Sequence, residues 1–139
     1  MMPIERPQSQ EVKPPSTGGK RVLVIDDEQL IHNVLDAALG RKGHQLTHAF
    51  DGEDGLLKFG PRQFDLVICD RLMPGKNGDE VVPEIKRMAP GQKVIMFASD
   101  AENIPPEEKA AIGADMYLGK PINMDLLSQV VEQLTRETV

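Results

Sequence analysis

Residues 21–30 read RVLVIDDEQL, so that four consecutive apolar residues lead directly into three acidic ones. A short run of Val, Leu and Ile without polar alternation is typical of a strand buried on both faces, as in a parallel sheet. Asp26, Asp27 and Glu28 then follow at the carboxyl end of that strand, where their charges repel one another at close range. We therefore predict a buried parallel strand whose carboxyl end favours a neutralising cation.

The rest of the chain alternates short strand patterns with amphipathic helical patterns, which is typical of βαβ units. The predicted strands are 22–25, 45–49, 66–69, 93–98 and 116–118. The predicted helices are 31–39, 53–59, 79–88, 106–112 and 124–134. A kink is expected at Pro83 unless that residue lies in the first turn of its helix. Right-handed crossovers between such units predict a doubly wound, three-layer α/β domain.

The composition predicts a single domain with an acidic surface. The 139 residues are 40% hydrophobic, enough for one sizeable core, and 16 basic against 22 acidic residues give a net charge of −6. This charge disfavours direct nucleic-acid binding and an anionic membrane surface, and it suits a cation or a basic protein partner. No apolar run approaches the roughly 20 residues of a membrane span, so an integral membrane protein is also disfavoured.

The start of the chain and its cysteine content predict a cytoplasmic protein with a disordered leader. Residues 1–19 contain four prolines and no apolar periodicity, so we predict a disordered leader followed by one folded domain over 20–137. Cys69 is the single cysteine, which excludes an internal disulfide, and the leader lacks the apolar segment of a secretory signal. Both observations favour the cytoplasm.

Acidic residues follow two predicted strands, and a lysine follows a third. Asp26 and Asp27 leave the first strand, Asp70 leaves the third, and Lys120 follows the fifth. In an open α/β sheet, side chains at the carboxyl ends of the strands meet at the ligand-binding edge. Clustered carboxylates at a partly solvated edge suit Mg²⁺, which prefers oxygen ligands and often shares its shell with phosphate. The sequence therefore predicts a divalent metal site at this edge.

Each of these residues also has a plain structural interpretation. An acidic pair before a helix is commonly a cap, a strand-terminal Asp before a Pro-Gly loop is commonly a turn residue, and a lysine before proline is commonly solvated. The three histidines lack the spacing of a metal site and are interpreted as solvated or packing residues, and Cys69 as a core thiol. The coincidence of acids and lysine at the ends of the appropriate strands is what favours a site.

Three segments of the sequence resemble the bacterial two-component response-regulator receiver domain, of the chemotaxis-regulator-like kind. They are VLVIDDE at 22–28, DLVICDRLMPGKNG at 65–78 and GADMYLGKP at 113–121. The resemblance spans nearly everything beyond the predicted leader. It implies a (βα)5 flavodoxin-like fold with a parallel sheet of order 2-1-3-4-5. It also implies a phosphoacceptor signalling switch rather than an enzyme acting on an external substrate, with self-catalysed phosphorylation and dephosphorylation.

The resemblance implies a role for each residue of the predicted site. Asp70 is the implied phosphoacceptor, taking a phosphoryl group from a sensor histidine kinase or a phosphotransfer protein. The implied ligands of Mg²⁺ or Mn²⁺ are Asp26, Asp27, Asp70 and the backbone carbonyl of Leu72. Lys120 is the implied phosphoryl contact, Tyr117 the switch aromatic, and the bond before Pro121 a cis peptide. The implied output is a downstream effector protein or a fused output domain, with a homodimer as one form.

One position departs from the receiver pattern, at the end of the fourth predicted strand. Receivers usually carry Thr or Ser there, followed by a small residue, whereas VIMFASD places Ala98 first and Ser99 second. Neighbouring strand residues face opposite sides, so Ser99 would contact a phosphoryl oxygen only if the strand end bulges or slides by one position. Ser99 is therefore the candidate hydroxyl, and its coupling to Tyr117 is open.

Three other functions compete with a phosphoacceptor. A phosphatase of the haloacid dehalogenase type needs a second Asp two residues after the nucleophile, where this chain has Leu72. A flavodoxin-like nucleotide binder needs a phosphate loop rich in Gly, Ser or Thr after the first strand, whereas DDEQ repels phosphate. A receiver fold used only for docking, without switching by phosphorylation, is left open by Ala98.

Overall fold

The computed structural model describes residues 19–136, so nearly all of the predicted leader, and residue 137 of the predicted domain, lie outside the described residues. The strands are β1 Arg21–Ile25, β2 Gln45–Ala49, β3 Leu66–Asp70, β4 Val94–Ala98 and β5 Met116–Gly119. The helices are α1 Gln29–Leu35, α2 Gly52–Lys58, α3 Gly78–Met88, α4 Pro106–Ile112 and α5 Met124–Thr135. Among residues 19–136, no helix is both long and apolar enough to cross a bilayer.

The five strands form one parallel sheet in the order β2-β1-β3-β4-β5. This order confirms the predicted doubly wound, flavodoxin-like fold. The chain order reverses direction across the sheet between β1 and β3, and a ligand site is expected outside the carboxyl ends of these two strands. The acidic residues that follow β1 and end β3 are therefore at the switch point of the sheet.

The central strands are almost entirely buried, which explains their continuous apolar sequences. Alternate residues enter two apolar layers, because successive strand side chains point to opposite faces. Leu23 and Met96 belong to the layer that packs on α3, and Phe97 belongs to the layer that packs on α1 and α5. Cys69 lies in the first layer, where burial raises the pKa of its thiol, as expected for an inert core residue.

Two capping residues fix the starts of α2 and α5. The Asp51 carboxylate accepts a hydrogen bond from the amide of Asp54 at 2.7 Å, and the Asn123 side chain accepts one from the amide of Leu126 at 3.0 Å. These contacts satisfy amides that have no partner within the first turn of a helix. Asp51 and Asn123 are therefore the N-caps of α2 and α5.

Helix α1 differs from the sequence-based expectation, and α3 contains the proline at which a kink is predicted. α1 ends at Leu35, and residues Asp36–Gly40 form a π-helical turn instead of a continuation of the regular helix. The carboxylate at the start of this turn is held by His48 of β2, with 2.9 Å between Asp36 Oδ1 and His48 Nε2. Pro83 lies beyond the first turn of α3, and the helix nevertheless continues to Met88.

Gly78 is the point at which α3 meets the end of β3. A Cβ atom at this position would lie 2.5 Å from the carbonyl oxygen of Asp70 and 2.9 Å from the Cα atom of Arg71. The amide of Gly78 also donates to the carbonyl of Arg71 at 2.7 Å. The absence of a side chain therefore allows the first turn of α3 to pack directly against the backbone after β3.

We expect Gly78→Ala to lower the free energy of unfolding by about 1–3 kcal/mol, because the backbone must shift to relieve the new contact. Gly91→Ala is the matched control, since nothing lies within 4 Å of the Cβ atom that it introduces. Urea unfolding of the two variants measures the difference. Equal stability of the two variants would contradict the packing argument.

Candidate functional site

Three carboxylates meet at the carboxyl end of the sheet. Asp26 follows β1 and Asp70 ends β3, and the pairing of Ile25 with Cys69 places the two strand ends side by side. Asp26, Asp27 and Asp70 each offer one oxygen to a group whose members all lie within 4.8 Å of one another. Asp26 and Asp70 are buried, at 1% and 6% relative exposure, while Asp27 is exposed. The fold thus brings the predicted acids together.

The two buried carboxyl groups are costly to ionise. Burial, and next the charge of Asp26, raise the pKa of Asp70 to about 6. Burial also raises the pKa of Asp26. The amide of Glu28 donates to Asp26 Oδ1 at 2.9 Å, and this hydrogen bond offsets only part of the increase. Adjacent negative charges held out of water favour the binding of a proton or a cation.

Lys120 brings a positive charge to the same group of acids. Its Nζ atom lies 3.2 Å from Asp70 Oδ1, 3.4 Å from Asp26 Oδ2 and 3.1 Å from Glu28 Oε1. Burial lowers the pKa of Lys120, but the charges of Asp26 and Asp70 outweigh burial and raise it overall. The peptide bond between Lys120 and Pro121 is cis. Lys120 therefore remains an ammonium ion that partly neutralises the acids.

An open cavity of about 440 Å³ gives access to Asp70. Its lining includes Asp27, Asp70, Leu72, Ala98, Ser99 and Lys120. The acids offer carboxylate oxygens, the hard ligands that suit Mg²⁺ or Mn²⁺ rather than a metal that prefers thiolate. Their mutual distance and the raised pKa values of Asp26 and Asp70 fit an ion of this class. The residues present are thus suited to hold a hard divalent cation.

Known proteins are similar to this chain in sequence. A family model described as the response regulator receiver domain matches residues 22–132. The transcriptional regulatory protein CutR of Streptomyces coelicolor is 33% identical over 118 residues, which cover 85% of this chain and 54% of CutR. The chain belongs to the response regulator receiver family. Domains of this family are the regulatory domains of two-component systems.

Solved receiver structures agree with the fold. The CheY-like receiver domain protein from Methanospirillum hungatei is 30% identical with a TM-score of 0.73, over 84% of this chain and 94% of that one. The response regulator TrrA from Thermotoga maritima, solved in complex with Mg²⁺ and BeF, is 37% identical with a TM-score of 0.74, over 83% and 98%. The receiver described here spans about half the length of CutR.

Tyr117 of this receiver lies on the α4 side of the sheet. Its hydroxyl donates to the carbonyl of Lys109 at 2.7 Å and accepts from the amide of Ala114 at 3.3 Å. The ring packs against a small buried group formed by Ala98, Ala101 and Ile104. An apolar contact, rather than a hydroxyl, therefore joins the end of β4 to the surroundings of Tyr117.

One member of a histidine pair contacts the backbone carbonyl of Asp26. His32 is 1% exposed, with Nε2 2.7 Å from the carbonyl oxygen of Asp26 and Nδ1 2.6 Å from Nδ1 of His48. His48 Nε2 lies 2.9 Å from Asp36 Oδ1. Because carbonyl and carboxylate oxygens only accept, both Nε2 atoms donate. The interpretation of these histidines as solvated or packing residues omitted this contact to the Asp26 backbone.

Arg71 is a further residue of the site that the sequence analysis did not single out. It follows Asp70 in the chain and lines the same cavity. Its guanidinium donates to Asp79 at 3.0 and 3.1 Å and to Asp100 at 2.9 Å. No local pattern predicts these partners, since one of them lies 29 residues away in the chain.

Proposed function

We propose that this receiver accepts a phosphoryl group on Asp70 from a sensor histidine kinase or a phosphotransfer protein. One observation carries the proposal: a buried carboxylate borders an open cavity, with the Lys120 ammonium 3.2 Å from its oxygen. The proposed ligands of Mg²⁺ or Mn²⁺ are Asp26, Asp27, Asp70 and the backbone carbonyl of Leu72. The oxygen-only donor set and the shared reach of the three acids support that assignment.

The proposed transfer forms a bond between an Asp70 carboxylate oxygen and phosphorus, while the bond from phosphorus to the donor nitrogen breaks. The donor histidine keeps the electron pair of that bond, and the product is an acyl phosphate. A pKa of about 6 leaves Asp70 mostly ionised near neutral pH, as a nucleophile must be. A bound divalent ion supplies positive charge to the transferring phosphoryl oxygens. Lys120 adds an ammonium ion beside Asp70. Its positive charge stabilises the negative charge of the phosphoryl oxygens during the transfer.

Ser99 is the proposed hydroxyl partner of the phosphoryl group, in place of the one that Ala98 lacks. Ser99 lines the cavity together with Asp70 and Lys120. Ser99 is the first residue after the regular pairing of β4 with β5, which ends at Ala98 and Gly119. The shared cavity supports an approach of Ser99 towards the phosphoryl group, and this approach requires the chain to bulge just beyond the end of β4.

The proposed output is a change in protein contacts, with Tyr117 as the switch residue. The packing of Tyr117 against the group that contains Ala98 supports a link between the end of β4 and α4. CutR is named a transcriptional regulator and is longer than this chain, which supports either a fused output domain or a downstream effector protein. We also propose a cytoplasmic location and a homodimer. Direct contact with nucleic acid is not part of the proposal, because the net charge of −6 opposes it.

Intact-mass analysis after incubation with acetyl phosphate and Mg²⁺ tests the proposed function. We expect one added phosphoryl group on the wild-type protein, no addition to Asp70→Asn, and no addition when Mg²⁺ is removed by chelation. A docking module that does not switch by phosphorylation predicts an unchanged mass in all three samples. An addition that survives Asp70→Asn would reject Asp70 as the acceptor.

A further inference from the structure

Arg71 is the centre of an ion-pair network beside the phosphoryl-binding cavity. Its side chain is 13% exposed, so the guanidinium is largely removed from water. Nε and Nη2 bind the two carboxylate oxygens of Asp79, at the start of α3, in a bidentate pair. Nη1 donates to Asp100 at 2.9 Å, and Nη2 lies 3.7 Å from Glu108 of α4. One side chain therefore connects α3, the β4-α4 loop and α4.

The backbone of Arg71 is hydrogen-bonded to β4 and to the start of α3. The amide of Arg71 donates to the carbonyl of Phe97 at 2.9 Å, two residues before Ser99. The carbonyl of Arg71 accepts from the amide of Gly78 at 2.7 Å. Ser99 therefore lies between two residues that Arg71 contacts, Phe97 through the backbone and Asp100 through the side chain.

Of these two residues that Arg71 contacts, Asp100 is the one exposed to solvent. Its side chain is 52% exposed, and it follows Ser99 directly, outside the β4 ladder. The Asp79 pair fixes the plane of the guanidinium, because bidentate arginine-carboxylate contacts restrict orientation as well as distance. With that plane fixed, the contact of Nη1 to Asp100 joins the residue after Ser99 to the residue after Asp70.

We propose that Arg71 is a positioning residue that, through Asp100, holds the Ser99 hydroxyl at the phosphoryl-binding cavity. The inference rests on the proposed function, and it identifies how a receiver with Ala98 at the end of β4 keeps a hydroxyl donor near Asp70. Arg71 acts through the loop and not as a direct phosphoryl contact, since each of its three guanidinium nitrogens already donates to a carboxylate. Its effect on phosphorylation therefore requires Ser99.

A double-mutant cycle tests this dependence in the full chain. The rate of phosphoryl addition from acetyl phosphate with Mg²⁺ is measured by intact mass for wild type, Ser99→Ala, Asp100→Ala and the double variant. We expect Ser99→Ala to lower the rate at least about tenfold, as loss of one preorganised hydrogen-bond donor does. Asp100→Ala should lower the rate by a similar factor in the wild-type background and should have little effect in the Ser99→Ala background.

The cycle is repeated with Arg71→Met in place of Asp100→Ala. We expect Arg71→Met to lower the phosphorylation rate in the wild-type background and to have little effect in the Ser99→Ala background. Asp100→Ala changes an exposed side chain and leaves the Asp79 pair intact, so it keeps the test valid if Arg71→Met fails to fold. Arg21→Met is the matched control, because Arg21 pairs with Asp65 at 3.3 Å at the opposite end of β1. We expect this control to leave the phosphorylation rate at the wild-type value.

Equal effects of Asp100→Ala in the wild-type and Ser99→Ala backgrounds would overturn the positioning role, because the loop would then act independently of the hydroxyl. An unchanged rate for Asp100→Ala in the wild-type background would overturn it as well. Absence of any added phosphoryl group on the wild-type protein would instead overturn the proposed function, and this inference with it.

Discussion

Lys120→Met is expected to slow phosphorylation of Asp70 by about 100-fold or more, while the protein still binds Mg²⁺. The Lys120 ammonium lies 3.2 Å from the attacking carboxylate and is 17% exposed, so its charge acts at short range with little screening by water. Removing a preorganised charge of this kind from a site of developing negative charge typically costs about 10²–10³ in rate. The three carboxylates that form the proposed metal site are left unchanged.

Lys86→Met provides the matched control for this prediction. Lys86 is 21% exposed and pairs with Asp115 at 2.9 Å, so it loses a comparable ion pair away from the acid group. Rates of phosphoryl addition from acetyl phosphate give the first measurement, and calorimetric titration with Mg²⁺ gives the second. A Lys120 variant that phosphorylates at the rate of the Lys86 variant would contradict the role of the ammonium.

Asp70→Asn is expected to stabilise the metal-free domain by roughly 2 kcal/mol at about pH 7.5. The pKa of Asp70 is raised to about 6 in the fold, above its ordinary value of 3.8, because burial and the charge of Asp26 disfavour the ionised form. Stability from this carboxyl group is therefore fully present below its unfolded pKa and is lost as the pH rises through about 6. Asparagine avoids that loss, and its advantage should shrink to less than about 1 kcal/mol near pH 4.

Urea unfolding with a chelator, at the two pH values, measures this difference. Asp27→Asn is the control, since it removes an exposed carboxylate from the same group and should produce a smaller gain. Saturating Mg²⁺ should stabilise the wild-type protein more than Asp70→Asn, because the variant lacks one of the proposed ligands. A gain that is independent of pH would show that charge at Asp70 is not its cause.

The sheet and its acidic edge could be predicted because they follow from local patterns. Apolar runs such as 22–25 and 66–69 indicate strands buried on both faces, and helical spacing between them leaves a parallel sheet as the consistent arrangement. In such a sheet the residues that follow the strands meet at one edge. Asp26, Asp70 and Lys120 are brought together for that reason, although more than 40 residues of sequence separate each from the next.

The contacts of long side chains could not be predicted in the same way. Several acidic residues lie near Arg71 in the sequence, and its pairing with Asp79 and Asp100 depends on how the loops after β3 and β4 fold. The contact of His32 with His48 depends on the register between β1 and β2, in which Val24 pairs with His48. Neither feature leaves a periodic pattern, because each depends on tertiary packing between distant segments.

The position of the phosphoryl group on the chain shows whether Asp70 is the phosphoacceptor. Borohydride reduces an aspartyl phosphate to homoserine, which marks the modified residue permanently, and peptide mass spectrometry then locates it. After reaction with acetyl phosphate and Mg²⁺, we expect homoserine at position 70 and unmodified aspartate at positions 26 and 27. Homoserine at either of those two positions, or at none of the three, would contradict the account.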